Sequence, residues 1–359
     1  MQALHPFSSD ERVFRRCVMA RPSDTGYIYA STKVKSADGV GTEELRLARL
    51  LDCSTVRDVY GEIVDAEICP GAEKHNITGD SDAVNAAGDI LSGALDYAAD
   101  LVREAVPDKS LYDFLFYKYD CNNIKAAVKS ALRGVSTDGA MFSCGTISAQ
   151  CAVECADTRN TSPLPRHMAV AALEAIDAYE RTGEARAIDF ILDRACFADM
   201  AESAAAAEVP MFTEYVKALA DVTNIRSAVR ISASSVAPAA AEALFARVFV
   251  PDGSVPESAF YAEGTGVSSL EALASALPLS PLKAEVAEAA ENPSRADAVL
   301  ERFVFRVAEN MSNKAFGPEI PAYFFISRER EIRRYRKALS VLSMGKVKKE
   351  TLKERLGIL

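Results

Sequence analysis

The sequence predicts an all-α protein built from three related helical units, and three observations predict it. First, Asp120-Cys-Asn-Asn123-Ile124-Lys125-Ala-Ala-Val128-Lys129 returns as Asp221-Val-Thr-Asn224-Ile225-Arg226-Ser-Ala-Val229-Arg230, a shared D-x-x-N-I-[KR]-x-A-V-[KR]. A weaker third echo is Arg328-Glu-Arg-Glu331-Ile332-Arg333-Arg-Tyr335-Arg336-Lys337. Second, D-x-[IV]-L-[DE]-R occurs at 189–194 and 297–302, each time at nearly the same distance before a copy of the first motif. Third, apolar residues recur at helical spacing over long stretches, and strand signals are scarce. Repetition at a fixed period marks a chain made of copies of one supersecondary unit. The copies divide the chain into 1–136, 137–236 and 237–359. Copies packed around a common axis make a scaffold or socket, which is a poor basis for one asymmetric active site.

The elements follow in order. Tyr27-Ile28-Tyr29-Ala30 fits a short strand or a helix entry. Residues 81–106 carry Leu91, Leu95, Ala98 and Val102 on one helical stripe, closed by Pro107. Ser110 then opens a helix, with Asp113 three residues on in a capping-box arrangement. Its stripe is Phe114, Tyr117, Cys121, Ile124, Val128 and Ala131, and Gly134 stops it. The second copy keeps Tyr215, Ala218, Val222, Ile225 and Val229. The third keeps Ile332, Tyr335, Leu339 and Leu342, ends at Gly345, and is followed by a short last helix. Breaks fall at 134–145 and 233–240, and 162–165, 250–253 and 279–281 read as loops. The Ala-rich stretches 201–207 and 236–243 suit helix surfaces or tight helix–helix packing. The first copy has no full D-x-[IV]-L-[DE]-R; Asp89-Ile90-Leu91 is too short to count.

Length and composition bound the function. The chain has 359 residues, enough for two or three domains, and its 49% apolar content excludes wholesale disorder. No apolar run reaches the roughly 18 residues of a membrane span. The start, MQALHPFSSDERVFRR, lacks the apolar stretch of a signal peptide, so a soluble cytoplasmic protein is expected. The net charge is −10, yet residues 323–359 hold 11 Lys/Arg against 4 Glu. That asymmetry points to a charged partner or to a solvated basic helix. The eight cysteines include no C-x-x-C and read as reduced, buried small side chains. Cys144, Cys151 and Cys155 fall on one helical face, but neither their spacing nor a nearby His supports a metal.

Catalytic motifs are missing. No Gly-Lys-Ser/Thr forms a phosphate loop, and Gly39-Val-Gly41 and Gly264-Thr-Gly266 lack the rest of a dinucleotide fingerprint. His5, His75 and His167 stand in no H-E-x-x-H and beside no Ser or Cys partner. No cofactor, metal or small-molecule substrate is expected. Asp120 and Asp221 read as N-caps of restarting helices, with Asn123 and Asn224 tying each turn to a neighbouring helix. The competing reading turns these groups toward a partner or pore. Arg328 and Glu331 replace them in the third copy, so the contact there must differ. The basic stretch 328–337 could grip phosphate. Glu329 and Glu331 interleave at pairing distance, however, and no aromatic platform accompanies it, which argues against nucleic acid.

Taken together, these motifs resemble the C subunit of A/V-type ATPases, the family of V-ATPase subunit d. The residues that carry the resemblance are Asp120…Asn123-Ile-Lys after Phe114, Phe116, Tyr117 and Tyr119, and the copy at Asp221…Asn224-Ile-Arg226. The closing stretch is similar too, from Tyr323-Phe-Phe325 through Arg328-Glu-Arg-Glu331-Ile332-Arg333 to Gly345-Lys346 and Leu352-Lys-Glu-Arg-Leu356. Tyr29-Ala-Ser-Thr-Lys33-Val34-Lys35 resembles the family's tyrosine and paired basic residues, with Lys where the family often has Arg. Glu44-Leu45 to Tyr60 resembles its next helix. The likeness spans nearly the whole chain, except the loop 61–80 and the Cys-rich segment 144–155.

The resemblance implies three helical units around a pseudo-threefold axis, forming a funnel. It implies a non-catalytic central-stalk subunit that couples the shaft subunits to the membrane rotor ring, peripheral on the cytoplasmic face of the membrane. Lys125, Arg226 and Arg333, related by the repeat, are the expected interface residues. The rival readings are a free-standing helical adapter and an all-α enzyme using Asp189, Asp193, Asp297 and Glu301. The repetition of D-x-[IV]-L-[DE]-R argues against the enzyme, and burial of those acids against Arg194 and Arg302 in helix contacts would sink it.

Overall fold

The computed structural model describes residues 24–135, 137, 141–262, 266–278, 280–345 and 347–358. The stretch MQALHPFSSDERVFRR with its His5, Cys17, Lys346 and Leu279 lie outside the described residues. The chain is all-α, with 15 α-helices and almost no strand among the described residues. They are α1 (Ile28–Ser36), α2 (Glu43–Asp52), α3 (Val56–Asp65), α4 (Asp80–Ala105), α5 (Asp113–Arg133), α6 (Ala149–Thr158), α7 (Arg166–Thr182) and α8 (Ala185–Ala206). Then come α9 (Pro210–Ser232), α10 (Pro238–Val248), α11 (Leu270–Ala276), α12 (Pro281–Glu291), α13 (Ala296–Glu309), α14 (Glu319–Ser343) and α15 (Lys349–Leu356). Two-residue strands β1 (Tyr261–Ala262) and β2 (Gly266–Val267) pair antiparallel, Tyr261 opposite Val267.

Helix boundaries follow local chemistry. The 81–106 stripe is α4, and Leu91, Leu95, Ala98 and Val102 are buried along it. Tyr27-Ile28-Tyr29-Ala30 proves to be a helix entry. Gly134 ends α5 in the left-handed region, φ 63°, where a residue lacking Cβ is unstrained. Asp108, rather than Ser110, supplies the cap before α5: its carboxylate accepts from Ser110 N at 3.0 Å and opens a 3-10 turn. The single helix expected from Glu44 to Tyr60 is two, because Thr55 and Asp58 form a capping box that starts α3 afresh. Cys144 lies in the loop before α6, so the three cysteines do not share one helix. Ala131, expected on the buried stripe of α5, is exposed.

Three long helices carry the repeated motif, α5, α9 and α14. Helix α5 lies on α6, α7 and α8, and α9 lies on α8, α10 and α13. Helix α14 returns to the start of the chain and lies on α1, α3 and α4. The buried faces match the sequence stripes: Phe114, Cys121, Ile124 and Val128 on α5, Tyr215, Val222 and Ile225 on α9, Ile332, Tyr335, Leu339 and Leu342 on α14. Aromatic side chains join the motif helices to one another. Phe114 stacks against Phe212 with ring centroids 4.8 Å apart, and Phe116 meets Phe325 edge-on at 4.9 Å.

The apolar core is in two parts. The larger takes in α1–α8, α14 and the first half of α9, with Phe212, Tyr215 and Val216. The smaller is built from α10–α13 on the second half of α9, with Val222, Ile225 and Ala228. Helix α9 therefore belongs to both. Leu91 of α4, Leu192 of α8 and Leu300 of α13 are each no more than 1% exposed, on the three helices that pack against α14, α5 and α9. The short Asp89-Ile90-Leu91 thus occupies the place that D-x-[IV]-L-[DE]-R fills elsewhere.

Candidate functional site

The repeated Asp and Asn are clamps on the backbone of a loop, not N-caps. Both pairs sit in mid-helix. The Asn123 amide donates to Phe142 O at 2.8 Å and accepts from Phe142 N at 2.8 Å. Asn224 does the same to Val250, with both distances again 2.8 Å. One turn earlier, Asp120 accepts from Thr146 N at 3.0 Å, Thr146 Oγ1 at 2.5 Å and Ile147 N at 3.2 Å. Asp221 accepts from Ser254 N at 2.8 Å and Val255 N at 2.9 Å. Each helix therefore grips the same two points of a loop, four and five residues apart. The same polar contact is made twice, as the recurrence of Asn in a helix interior suggests.

Burial raises the Asp120 and Asp221 carboxyls above the usual range, and the donated hydrogen bonds pull against it. Glycine is required between the two grip points. A Cβ at Gly145 would overlap the Asp120 carboxylate, and one at Gly253 would overlap that of Asp221. Lined up this way, Phe142-Ser-Cys-Gly145-Thr146-Ile147 and Val250-Pro-Asp-Gly253-Ser254-Val255 share a bulky residue, a Gly, a hydroxyl residue and a β-branched apolar residue. That signal was present in the sequence, but the two loops stand at different distances from their helices.

On α14 the clamp changes chemistry. Arg328 donates to Glu331 at 2.7 Å, and Arg46 of α2 reaches the same carboxylate through Nε at 2.5 Å and Nη2 at 3.1 Å. Arg46 Nη1 also donates to Gly41 O at 2.5 Å, and Arg328 Nη2 lies 3.4 Å from Ala37 O and Asp38 Oδ1. The two guanidinium groups are each 2% exposed and Glu331 7%. A buried charge is tolerable only when paired in this way. The group ties α14 to the 37–42 loop between α1 and α2. Arg46 was not singled out from sequence; nothing local marks it.

The three expected interface residues hold the acids of the second motif. Lys125 pairs with Asp193 at 2.5 Å, Arg226 with Asp297 at 2.9 Å and Arg333 with Glu301 at 3.2 Å. Lys129 pairs with Asp189 at 2.5 Å, and Lys337 with Glu301 at 2.7 Å. The acids are paired with bases in helix contacts, but with these rather than with Arg194 and Arg302. Arg302 turns to Glu285 at 3.0 Å and to Glu288. A base on the neighbouring helix lies opposite each acid, whereas the arginine next to it on its own helix points elsewhere.

Each of these acids is paired with a base. Burial alone would raise Glu301, but Arg333 and Lys337 hold it below the ordinary carboxylate range, so it stays ionised. Glu329 behaves likewise: burial is outweighed by Lys118 at 2.5 Å and Arg333, and Tyr119 OH donates to it at 2.9 Å. This last group fastens α5 to α14. A cleft of about 800 Å³ lies beside α7, α8 and the 251–252 turn. There His167 Nε2 is 2.9 Å from Glu202, and neither Ser nor Cys lines the walls. Among the described residues no group of His, Cys, Asp and Glu is arranged to hold a metal ion, and no helix is long and apolar enough to cross a membrane.

The arrangement is one of fastening. Comparison with protein families gives one match, the ATP synthase (C/AC39) subunit, over residues 44–341. The match includes α3–α13 and most of α14, and so both backbone clamps and the Arg46–Glu331 group. A search of the curated proteins gives no match.

Proposed function

The chain belongs to the ATP synthase (C/AC39) subunit family, a subunit of a rotary ATPase, and from that premise we propose that it couples the central shaft to the membrane proteolipid ring. In this reading it is a non-catalytic central-stalk part, peripheral on the cytoplasmic face of the membrane. Three helical units, 1–136, 137–236 and 237–359 by sequence, surround a common axis as a funnel.

The observation that supports the mechanical role is where the repeated polar residues go. Each motif helix uses them to pin a loop of the next unit: α5 the loop before α6, α9 the loop after α10, α14 the loop before α2. A unit that carries torque needs its parts locked to one another, and interlocked helices meet that need better than loops joined end to end.

Lys125, Arg226 and Arg333 are proposed to face the partners as well as hold their acids. Their side chains are 15%, 38% and 48% exposed, so Arg226 and Arg333 offer the more accessible charge. The exposed Arg226–Asp297 pair contributes under about 1 kcal/mol to stability, so reversing Arg226 should leave the fold intact, whereas Arg333 also holds the largely buried Glu329.

The test is a pull-down of the tagged protein from mildly solubilised native membranes, with the partners identified by mass. Co-recovery of the shaft subunits and the ring proteolipid is expected, and is expected to weaken for Arg226→Glu. Recovery of unrelated soluble proteins in their place would sink the coupling role and leave a helical adapter.

A further inference from the structure

Three arginines line a small cavity that neither the clamps nor the proposed coupling uses. It lies between α13, α14 and the end of α15 and has a volume of about 190 Å³. Its polar walls are Glu301, Arg302, Arg330 and Arg334, and residues 356–358 form its rim. Among the described residues Glu301 is the one carboxylate lining it, and it is already paired with Arg333 and Lys337.

Arg330 is the unusual member. Its side chain is only 20% exposed, and its Cζ lies 3.4 Å from the centroid of the Phe305 ring. Among the described residues it donates no hydrogen bond. The nearest carboxylate, Glu43, is 3.7 Å away and already accepts from Arg334 at 2.7 Å and Ser327 at 2.8 Å. Arg302 is engaged through Nη2, while its Nε is buried with no acceptor. A guanidinium largely removed from water, with one already engaged carboxylate at 3.7 Å and no hydrogen bond among the described residues, gains from a further acceptor. Burial foremost, and then the neighbouring Arg334, lower the Arg330 pKa to about 10, against the pull of Glu43 and Glu301.

We propose that this cavity binds a phosphate group, with Arg330 as the principal donor and Arg302 and Arg334 flanking it. The planar guanidinium fork matches two phosphate oxygens at once. The space admits several waters and hence a tetrahedral oxyanion. The phosphate is either free, as inorganic phosphate or pyrophosphate, or the phosphomonoester headgroup of a lipid. The site stands independently of the coupling role.

The experiment uses the full chain in phosphate-free buffer at low salt. Inorganic phosphate and pyrophosphate are titrated by calorimetry, and flotation is measured with phosphatidylcholine vesicles with and without a phosphoinositide. Saturable binding that Arg330→Gln weakens about tenfold, the scale of one lost charge-assisted hydrogen bond, is expected. Arg336→Gln, on an exposed part of the same helix, should bind as the parent does. A second readout needs no variant: bound phosphate should slow phenylglyoxal modification of Arg330, followed by mass spectrometry. Binding of the free anions with protection identifies a free-phosphate site. Flotation that depends on the phosphoinositide and on Arg330 identifies a headgroup site. No binding of either probe, or binding that neither protects Arg330 nor depends on it, overturns the proposal.

Discussion

Asn224→Ala tests the clamp most directly. Asn224 is fully buried, and Val250, whose N–H and C=O it holds at 2.8 Å each, is 1% exposed. Alanine leaves both backbone groups without a partner, and a buried unsatisfied group costs about 1–3 kcal/mol. Two such groups set the loss at about 2–6 kcal/mol, and partial entry of water favours the lower half of that range. Asn123→Ala removes the same two bonds, but Phe142 is only half-buried and water can reach it, so a loss of about 1–2 kcal/mol is expected. The two clamps share no partner, so the double variant should show the sum of the two losses. The assay is urea unfolding, with amide hydrogen exchange followed on peptides covering 140–148 and 249–256. Each variant should accelerate exchange in its own loop and leave the other alone. An unchanged midpoint for Asn224→Ala, with the Val250 amide still protected, would refute the reasoning.

Three further outcomes follow from the same geometry. Gly253→Ala places a methyl group against the Asp221 carboxylate and should cost about 1–3 kcal/mol by overpacking, with faster exchange in 249–256; a neutral effect in urea unfolding contradicts the close approach. Glu331→Ala strands Arg46 and Arg328 in a buried site and should cost about 3–5 kcal/mol, whereas a loss below 1 kcal/mol, as for a surface pair, would show that the group bears little on stability. Burial, opposed by Arg103, raises the Asp113 carboxyl from 3.8 to about 6. The folded protein thus holds this proton more tightly than the unfolded chain. That contribution is complete below about pH 3.8 and is lost as pH rises through about 6. Asp113→Asn should therefore stabilise the protein by about 1–2 kcal/mol at pH 7.5 and by nothing near pH 4, and urea unfolding at the two pH values checks the sign.

The sequence by itself determined the helices and their buried faces. A 3.6-residue period is a local property, so the stripes of α4, α5, α9 and α14 could be read residue by residue. The family was legible for a related reason. Asp120 with Asn123, and Asp221 with Asn224, are polar residues kept inside helices at a cost, and they mark a contact worth repeating.

What that contact is, only the tertiary structure decided. Asn123 grips a residue 19 positions away and Asn224 one 26 positions away, so no fixed spacing joins helix to loop. The glycines between the grip points became meaningful only once the loop was seen against the carboxylate. Partner choice escaped the sequence in the same way. Asp193 and Glu301 stand beside an arginine in the chain, but successive residues on a helix point about 100° apart, and the base across the helix contact is nearer. Arg46 and Glu331, 285 positions apart, meet only because α14 folds back onto the start of the chain. Ion pairs at that separation are set by packing, which brings together what the order of residues keeps apart.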